Sequence, residues 1–247
     1  MGTVYRLPGR GGALWLGDCL EVIREIPDGS VAAVVTDPPY FIGLNHNGKS
    51  PDMSDLNIAA PFYRQLIPQL LRVLDPAGSI YWFTDWRGYP FYYQMISEFI
   101  GIDNLLVWDK KNGPGTFYTN EHELVIFATR NRKFCVKGAR NIIRGISSFS
   151  SGAQNTDGPK LHPTQKPVQL ISRLILDSTR EGDTVLDPFA GSSTTGVACI
   201  RTGRRYAGIE IQEKHYRTGV ARLREAWKEA GDGERQETQE EAGGVQS

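Results

Sequence analysis

The sequence has no apolar run of the roughly 18–20 residues that a membrane-spanning helix needs, and its first residues lack the charged-then-apolar pattern of an export signal. We therefore expect a cytoplasmic protein without membrane contact. Cysteine is scarce: Cys19, Cys135 and Cys199 are scattered and form no Cys-x-x-Cys pair, so neither a disulfide framework nor a metal site is predicted. The net charge is zero, because 28 Lys and Arg balance 28 Asp and Glu among 247 residues.

Charge is nevertheless distributed unevenly along the chain. Residues 231–247 carry a net charge of −4 and no large apolar residue except Val245, so we predict a disordered acidic tail there. The preceding residues, 1–230, are enough for one globular domain with a substantial core. Within that domain, residues 108–162 carry a net charge of +5, which concentrates the positive charge in the middle of the chain.

Short apolar runs of strand type alternate with segments of helical period. This alternation predicts an α/β fold with a mostly parallel, seven-stranded sheet and helices on both faces. The predicted strands are residues 13–16, 31–36, 79–84, 105–108, 123–129, 184–186 and 205–211, and the predicted helices are 20–26, 58–74, 90–100, 168–178, 195–201 and 213–230. Residues 131–161 are rich in Gly, Ser and Asn and show no core-forming period, so we expect a long functional loop or a small insertion there.

The first motif with chemical content is V-V-T-D-P-P-Y at residues 34–40, where an apolar strand ends in an acid, two prolines and an aromatic residue. Ligands bind at the carboxyl ends of strands in open α/β sheets. Two prolines fix the backbone and offer no N–H, so Asp37 and the Pro38 carbonyl form a rigid pair of acceptors for a planar amino group. Tyr40 is available to stack on an attached aromatic base. The alternative is an ordinary turn after a buried strand.

The second motif, residues 182–196, runs from a strand through small residues into a helix. Small residues let a ligand approach the backbone, and a helix N-terminus offers N–H groups to a carboxylate. The glycine spacing fits neither a dinucleotide site nor a phosphate-binding loop, so a pyrophosphate is not expected. The next strand delivers Glu210, where an acid can hold the hydroxyls of a ribose. These features predict a nucleoside-type cofactor site, and an ordinary βαβ unit with a solvated Glu210 is the alternative.

Three motifs in this order resemble the S-adenosylmethionine-dependent DNA amino-methyltransferases: D-P-P-Y at 37–40, H-P-T-Q-K-P at 162–167 and D-P-F-A-G-S at 187–192. The catalytic motif comes before the cofactor motif, which resembles the β group of that family, and the similarity covers residues 14–227. The resemblance implies a circularly permuted Rossmann-like methyltransferase fold in residues 1–230, with 131–161 as a target-recognition insertion. It also implies S-adenosyl-L-methionine as cofactor and double-stranded DNA as partner. A homodimer and a cognate restriction endonuclease stay open as further partners.

The resemblance also assigns the site residues. The catalytic residues are Asp37, Pro38, Pro39 and Tyr40. The cofactor residues are Asp18, Cys19, His162, Thr164, Lys166, Asp187, Pro188, Phe189, Ala190, Gly191, Ser192, Ser193, Glu210 and Ile211. The basic middle stretch supplies the predicted DNA contacts, which are Lys110, Lys111, Arg132, Lys133, Lys137, Arg140 and Arg144.

Three of these cofactor residues have a specific expected role. The resemblance places Asp18 beside the adenine of the cofactor and Glu210 at its ribose. Lys166 is expected near the methionine end, where it can balance the carboxylate of the cofactor. One position departs from the family, since Ser193 stands where a glycine is usual, and a serine restricts positive φ.

The expected mechanism is direct methyl transfer. No cysteine of this chain follows a proline, as the nucleophile of C5-cytosine methyltransferases does, so a covalent route is disfavoured. The resemblance implies transfer of a sulfonium methyl group to the exocyclic nitrogen of a base that is flipped out of the duplex. Asp37 favours adenine N6, and cytosine N4 is the alternative. An inactive DNA-binding protein of the same fold is the alternative from a different functional class.

Overall fold

The computed structural model describes residues 3–9, 11–39, 56–111, 113, 115, 117–131, 134–146 and 165–243. The strands are β1 (Val4–Arg6), β2 (Gly12–Leu16), β3 (Val31–Thr36), β4 (Leu74–Thr84), β5 (Asn104–Asp109), β6 (His122–Thr129), β7 (Ile142–Ile143), β8 (Thr184–Asp187) and β9 (Arg205–Glu210). The helices are α1 (Cys19–Val22), α2 (Leu56–Val73), α3 (Tyr89–Ser97), α4 (Val168–Ser178), α5 (Thr194–Arg201) and α6 (Glu213–Gly243).

All these strands form one sheet in the order β1-β2-β9-β8-β3-β4-β6-β5-β7. The pairings from β2 through β9, β8 and β3 to β4 are parallel, whereas β6 runs antiparallel to both β4 and β5. The strands β2, β9, β8, β3, β4 and β5 therefore all end at the same edge of the sheet, which we call the carboxyl edge. Ligands of α/β proteins bind at such an edge.

Helices cover both faces of the sheet. On one face, Tyr63 and Leu66 of α2 lie in the same buried cluster as Met95 of α3. On the other face, Leu174 of α4 and Leu223 of α6 share a second buried cluster. Each helix has apolar residues along one side, so it must lie against the sheet to bury them. The predicted α/β architecture with helices on both faces is confirmed.

The sheet has two more strands than the seven we predicted. β1 spans three residues and β7 spans two, so neither is long enough to show the period-two pattern by which strands are recognised in a sequence. Both lie at the ends of the sheet. The predicted strand count is therefore wrong.

Part of the predicted insertion, residues 131–161, is built into the sheet. β7 pairs in parallel with β5, and Ile143 and Ile146 are buried in the same cluster as α4. The Trp108 indole N–H donates to the Ile146 carbonyl at 2.7 Å. The segment without a core-forming period therefore still contributes Ile143 and Ile146 to the core, while the other described residues of 134–146 are exposed. Residues 147–161 lie outside the described part of the chain.

The last helix also differs from the prediction. α6 continues past Ala230 to Gly243, through residues that the acidic composition predicts to be disordered. The charged residues 231–243 have no apolar stripe, which is why the sequence indicated an end at Ala230. Among the residues that the structure describes, no helix is long and apolar enough to cross a membrane.

Candidate active site

Four acidic residues meet at the carboxyl edge. Asp18, Glu210, Asp187 and Asp37 come at or directly after the ends of β2, β9, β8 and β3, which are consecutive neighbours in the sheet. The register pairs Val34 of β3 with Leu186 of β8, so the proposed catalytic and cofactor motifs lie side by side. The fold thus brings together two motifs that are far apart in the chain.

The Asp-Pro-Pro turn is held from the neighbouring helix α3. The hydroxyl of Tyr92 lies 3.4 Å from the Pro39 carbonyl and 3.1 Å from the hydroxyl of Tyr63. Pro38 is buried, Asp37 is half-buried and Pro39 is exposed. Burial raises the pKa of Tyr92 far above its ordinary value, so its hydroxyl stays protonated. Tyr40, the predicted stacking residue, lies outside the described residues.

Asp37 is the first member of a buried chain of ion pairs. Lys166 Nζ lies 2.7 Å from Asp37 Oδ2 and 3.1 Å from Glu123 Oε2, and Lys110 Nζ lies 3.1 Å from Glu123 Oε1. Only 6% of the Lys166 side chain is exposed, and its ammonium group lies 5.4 Å from the centre of the Phe83 ring. We call Asp37, Lys166, Glu123 and Lys110 the buried ion chain.

The surroundings keep the inner members of this chain charged. Burial opposes the charge of Lys166, but the Asp37 and Glu123 carboxylates outweigh it and raise the pKa of Lys166 to about 12. Burial likewise works to raise the pKa of Glu123, and the two lysines hold it below its ordinary value. Lys166 and Glu123 therefore stay charged because their neighbours in the chain carry the opposite charge.

The loop after β8 is fixed by Asp187. Asp187 Oδ2 accepts from the Thr195 hydroxyl at 2.7 Å, and Oδ1 accepts from the Phe189 N–H at 3.1 Å. Burial, reinforced by the charges of Asp37 and Glu210, raises the pKa of Asp187 to about 7 in spite of these bonds. The carboxyl group is therefore structural, because it ties the start of the loop to the first turn of α5.

Ser193 adopts the conformation that a glycine would favour. Its φ of 60° and ψ of 40° lie in the left-handed region, and its N–H donates to the Ala190 carbonyl at 2.7 Å. A non-glycine residue in this region costs on the order of 1–2 kcal/mol. The departure from the family's glycine thus leaves the turn into α5 intact, at some cost in backbone energy.

Glu210 joins two loops of the site. Its Oε2 accepts from the Gly191 N–H at 2.7 Å, and its Oε1 accepts from the Gln212 N–H at 2.7 Å. Each carboxylate oxygen can accept a second hydrogen bond, so these contacts leave capacity for ligand hydroxyls. Ile211 beside it is exposed.

Asp18 lies at the next strand end. Its Oδ1 accepts from the Leu20 N–H at 2.8 Å and caps α1. The preceding Gly17 N–H donates to the Glu210 carbonyl at 2.9 Å, which holds the ends of β2 and β9 together. Burial, and next the charge of Asp18, raise the pKa of the Cys19 thiol to about 12. Cys19 is therefore protonated and unsuited to act as a nucleophile.

Sequence reasoning missed Arg222, which supports the loop after β8 from α6. Only 8% of this residue is exposed, and its Nη1 donates to the Ser192 carbonyl at 2.8 Å, to the Ser192 hydroxyl at 3.0 Å and to the Thr194 hydroxyl at 3.0 Å. A signal was present: Gly219, Arg222, Leu223 and Ala226 form one helical stripe, so an arginine stands among residues that face the core.

The predicted DNA contacts fall into three groups. Lys110 is the outer member of the buried ion chain and pairs with Glu123, and its contact with DNA stays a prediction. Lys111, Lys137, Arg140 and Arg144 are exposed, and Arg144 Nε lies 3.9 Å from Asp109 Oδ2. The predicted residues that lie outside the described part of the chain are Arg132 and Lys133, together with the cofactor candidates His162 and Thr164.

Two exposed aromatic residues near the carboxyl edge were also missed. Phe117 and Tyr118 are 95% and 90% exposed, in the connection between β5 and β6. This connection leaves the sheet at the carboxyl edge, because β5 runs parallel to β4. The signal in the sequence was two adjacent aromatics among glycines and polar residues, where a core position is not expected.

The described part of the site offers acceptors and cations, and within it no group of three or more His, Cys, Asp or Glu residues could hold a metal ion. A carboxylate and a rigid carbonyl lie on one strand end, beside a loop of small residues on the next. This arrangement can orient an amino group next to a bound cofactor without a protein nucleophile.

Comparison with known proteins agrees with this arrangement. A family model described as DNA methylase, N6_N4_Mtase, matches residues 31–221. The chain is 30% identical over 241 residues to the type II methyltransferase M.HinfI of Haemophilus influenzae, which covers 85% of this chain and 67% of that protein.

Two solved structures share the fold. The crystal structure of the M1.HpyAVI–SAM complex has a TM-score of 0.63 at 24% identity, over 85% of this chain and 98% of that chain. The PvuII DNA methyltransferase, described as cytosine-N4-specific, has a TM-score of 0.66 at 18% identity, over 89% and 92% of the two chains. These matches confirm the resemblance and the fold class that the sequence predicts.

Proposed function

We propose that this chain, which belongs to the DNA methylase family, transfers the methyl group of S-adenosyl-L-methionine to the exocyclic amino group of a flipped DNA base, and that this group is N6 of adenine. One observation carries the proposal. The acceptor turn at Asp37 and the small-residue loop at Asp187–Ser193 follow adjacent parallel strands, so an amino group at the first lies next to a ligand at the second.

The residues present fit this cofactor. Ala190, Gly191 and Ser192 let a ligand approach the backbone closely. Glu210 and Asp18 supply carboxylates at the ends of β9 and β2, which suit the ribose hydroxyls and the adenine amino group. When bound, the cofactor supplies an electrophilic methyl group, and the new N–C bond forms as the S–C bond breaks and the sulfur becomes a neutral thioether.

In this mechanism the protein orients the target amino group and accepts its hydrogen bonds. Asp37 and the Pro38 carbonyl accept the two hydrogens of the amino group, which fixes the direction of attack toward the methyl group. The amino nitrogen gives up one proton once it carries the methyl group, and in this proposal the Asp37 carboxylate accepts it. Flipping the base costs a few kcal/mol, which contacts of exposed aromatic and basic residues with DNA offset.

Adenine is favoured by Asp37, because an acid at this position is more typical of the adenine enzymes in this family. Cytosine N4 is the second candidate, supported by the fold shared with the cytosine-N4-specific PvuII enzyme. A homodimer and a restriction endonuclease partner stay predictions.

The test is to incubate the purified protein with unmethylated genomic DNA and cofactor that carries a labelled methyl group, and to identify the labelled nucleosides by mass spectrometry. Labelled N6-methyladenine is expected. Label only in N4-methylcytosine would assign the second candidate, and DNA binding with no labelled base would indicate an inactive binding protein. Asp37→Ala is the control: it should lose about 10²–10³ in rate, because one charge-assisted contact to the amino group is removed, and still bind the cofactor.

A further inference from the structure

The position of Lys166 is set by three adjacent strands. Asp37 follows β3, Phe83 belongs to β4, and Glu123 belongs to β6, and these strands are neighbours in the order β3-β4-β6. The Lys166 ammonium group lies over the Phe83 ring of the middle strand and reaches a carboxylate on each side, at 2.7 and 3.1 Å. Its location thus depends on Asp37 and Glu123 together.

We propose that Lys166 is a positioning residue for methyl transfer: its ammonium group keeps the Asp37 carboxylate ionised and fixed in direction as an acceptor for the target amino group, and Glu123 holds Lys166 in turn. This inference rests on the proposed function. It differs from the expectation that Lys166 balances the carboxylate of the cofactor.

The arrangement is too costly to serve stability alone. An ion pair buried to this degree loses the hydration of both charges, and apolar residues of similar volume stabilise a fold as well or better. The signs along the buried ion chain alternate between Asp37, Lys166, Glu123 and Lys110, so the chain can be buried with no net charge. The chain therefore serves to keep one carboxylate ionised and fixed in direction.

A second acid near Asp37 would otherwise favour its protonation. Asp187 of β8 interacts electrostatically with Asp37, whereas the hydroxyl of Tyr92 of α3 stays protonated and neutral. A negative charge on Asp187 opposes the charge of the Asp37 carboxylate, and a protonated carboxyl would donate where an acceptor is required. Lys166 is in direct contact with Asp37, and its positive charge favours the ionised carboxylate. Glu123 and Lys110 lie farther along the buried ion chain and act on Asp37 more weakly.

The test compares Lys166→Met with the wild-type enzyme, using kcat for DNA methylation as a function of pH and the Kd of S-adenosyl-L-methionine measured without DNA. We expect kcat to fall about 100-fold and the acid limb of its pH profile to move up by about 1–3 pH units. The Kd of the cofactor should stay within about threefold of the wild-type value. Loss of a direct contact worth about 1.4 kcal/mol would raise it tenfold. Lys166→Arg keeps the charge and should restore part of kcat.

The matched control is Lys228→Met, the same substitution at an exposed lysine of α6, which should keep the wild-type profile. A raised cofactor Kd with an unmoved acid limb would assign Lys166 to the cofactor carboxylate and overturn the inference. So would an unchanged kcat, or a pH-independent loss that Lys166→Arg does not restore.

If Lys166→Met does not fold, Glu123→Gln carries the same test. This change removes a negative charge next to Lys166, so the acid limb should move to lower pH, opposite to the shift expected for Lys166→Met. An acid limb that does not move would overturn the inference. If the wild-type protein methylates no DNA at all, the proposed function fails instead, and the two failures are therefore distinguishable.

Discussion

Three acids at the carboxyl edge differ in what surrounds their carboxyl groups. Asp37 is paired with a lysine, Glu210 accepts two backbone N–H groups, and Asp187 accepts a threonine hydroxyl and one N–H in a fully buried position. Burial raises the pKa of Asp187 to about 7. The same chemical group is thus an ion-pair partner, an acceptor that joins two loops and a loop anchor, according to its environment. The proposed roles of Asp37 and Glu210 as base acceptor and cofactor ligand stay predictions.

At Glu210 we predict a loss of cofactor affinity. Glu210→Gln keeps the size of the side chain but removes the charge that strengthens its bonds to ligand hydroxyls and to the Gly191 N–H. The Kd of S-adenosyl-L-methionine should rise about 10-fold, equivalent to about 1.4 kcal/mol, as measured by calorimetry. Glu213→Gln, an exposed neighbour at the start of α6, is the control. An unchanged Kd would remove Glu210 from the cofactor site.

At Arg222 we predict a combined loss of stability and cofactor binding. Arg222→Met removes three hydrogen bonds to Ser192 and Thr194 and should lower the free energy of unfolding by about 1–3 kcal/mol. The Kd of the cofactor should rise as well, because the loop loses its anchor.

The matched control for this prediction is Arg224→Met, two residues along the same helix but exposed. Urea denaturation and calorimetry measure both quantities. Equal effects of the two substitutions would show that the buried arginine has no special role in the loop.

At the scale of elements, the connection between β5 and β6 folds back on itself very tightly. A Cβ atom on Gly113 would lie 2.2 Å from the Asn120 carbonyl oxygen, and one on Gly115 would lie 1.8 Å from that of Tyr118. Only glycine permits this approach of the two backbone segments. The result is a compact connection whose exposed aromatic residues extend from the carboxyl edge.

We predict that this connection contacts DNA bases through Phe117. Because the ring is 95% exposed, Phe117→Ala should leave the melting temperature unchanged. Stacking of a base on an aromatic ring is worth about 1–3 kcal/mol, so DNA affinity should fall by about 5- to 150-fold in a fluorescence anisotropy titration. Phe99→Ala, at the end of α3 away from this connection, is the control. Equal DNA affinity in the two variants would rule out the contact.

At the scale of the whole molecule, Asp187 makes stability depend on pH. Its folded pKa of about 7 lies above the ordinary value of 3.8, so the folded protein binds a proton that the unfolded chain has released. The free energy of unfolding therefore falls as pH rises from about 4 to about 7, and this contribution is constant above that range. Glu123 acts in the opposite direction: its pKa is lowered from 4.5 in the fold, so it stabilises the fold above that pH, and this contribution is lost as pH falls further.

Asp187→Asn isolates this effect. The amide keeps a group that can accept from Thr195 but does not titrate, so the variant should gain stability relative to the wild type between pH 5 and pH 8. The gain is expected on the order of 1–3 kcal/mol, measured by urea unfolding at both pH values. Parallel stability curves for the two proteins would contradict the raised pKa.

The sequence by itself determined the motifs and most of the elements. The acid after β3 and the small-residue loop before α5 are local patterns, readable because a strand, its turn and a helix start lie within about fifteen residues of each other. The long periodic helices α2, α4 and α6 were predicted for the same reason. β1 and β7 were not predicted, because strands of two or three residues show no periodic pattern in the sequence.

Only the tertiary structure decided which residues meet. It placed β8 beside β3 and paired Lys166 with Asp37. It also paired Lys110 with Glu123 and set Arg222 behind the loop after β8. Ion pairs and buried hydrogen bonds join groups that are distant in the chain, and their partners depend on strand order and helix packing, which local periodicity does not encode. A lysine has the same identity in the sequence whether it faces solvent or lies between two buried carboxylates, and the energy that distinguishes these states arises only from the neighbours that the fold supplies.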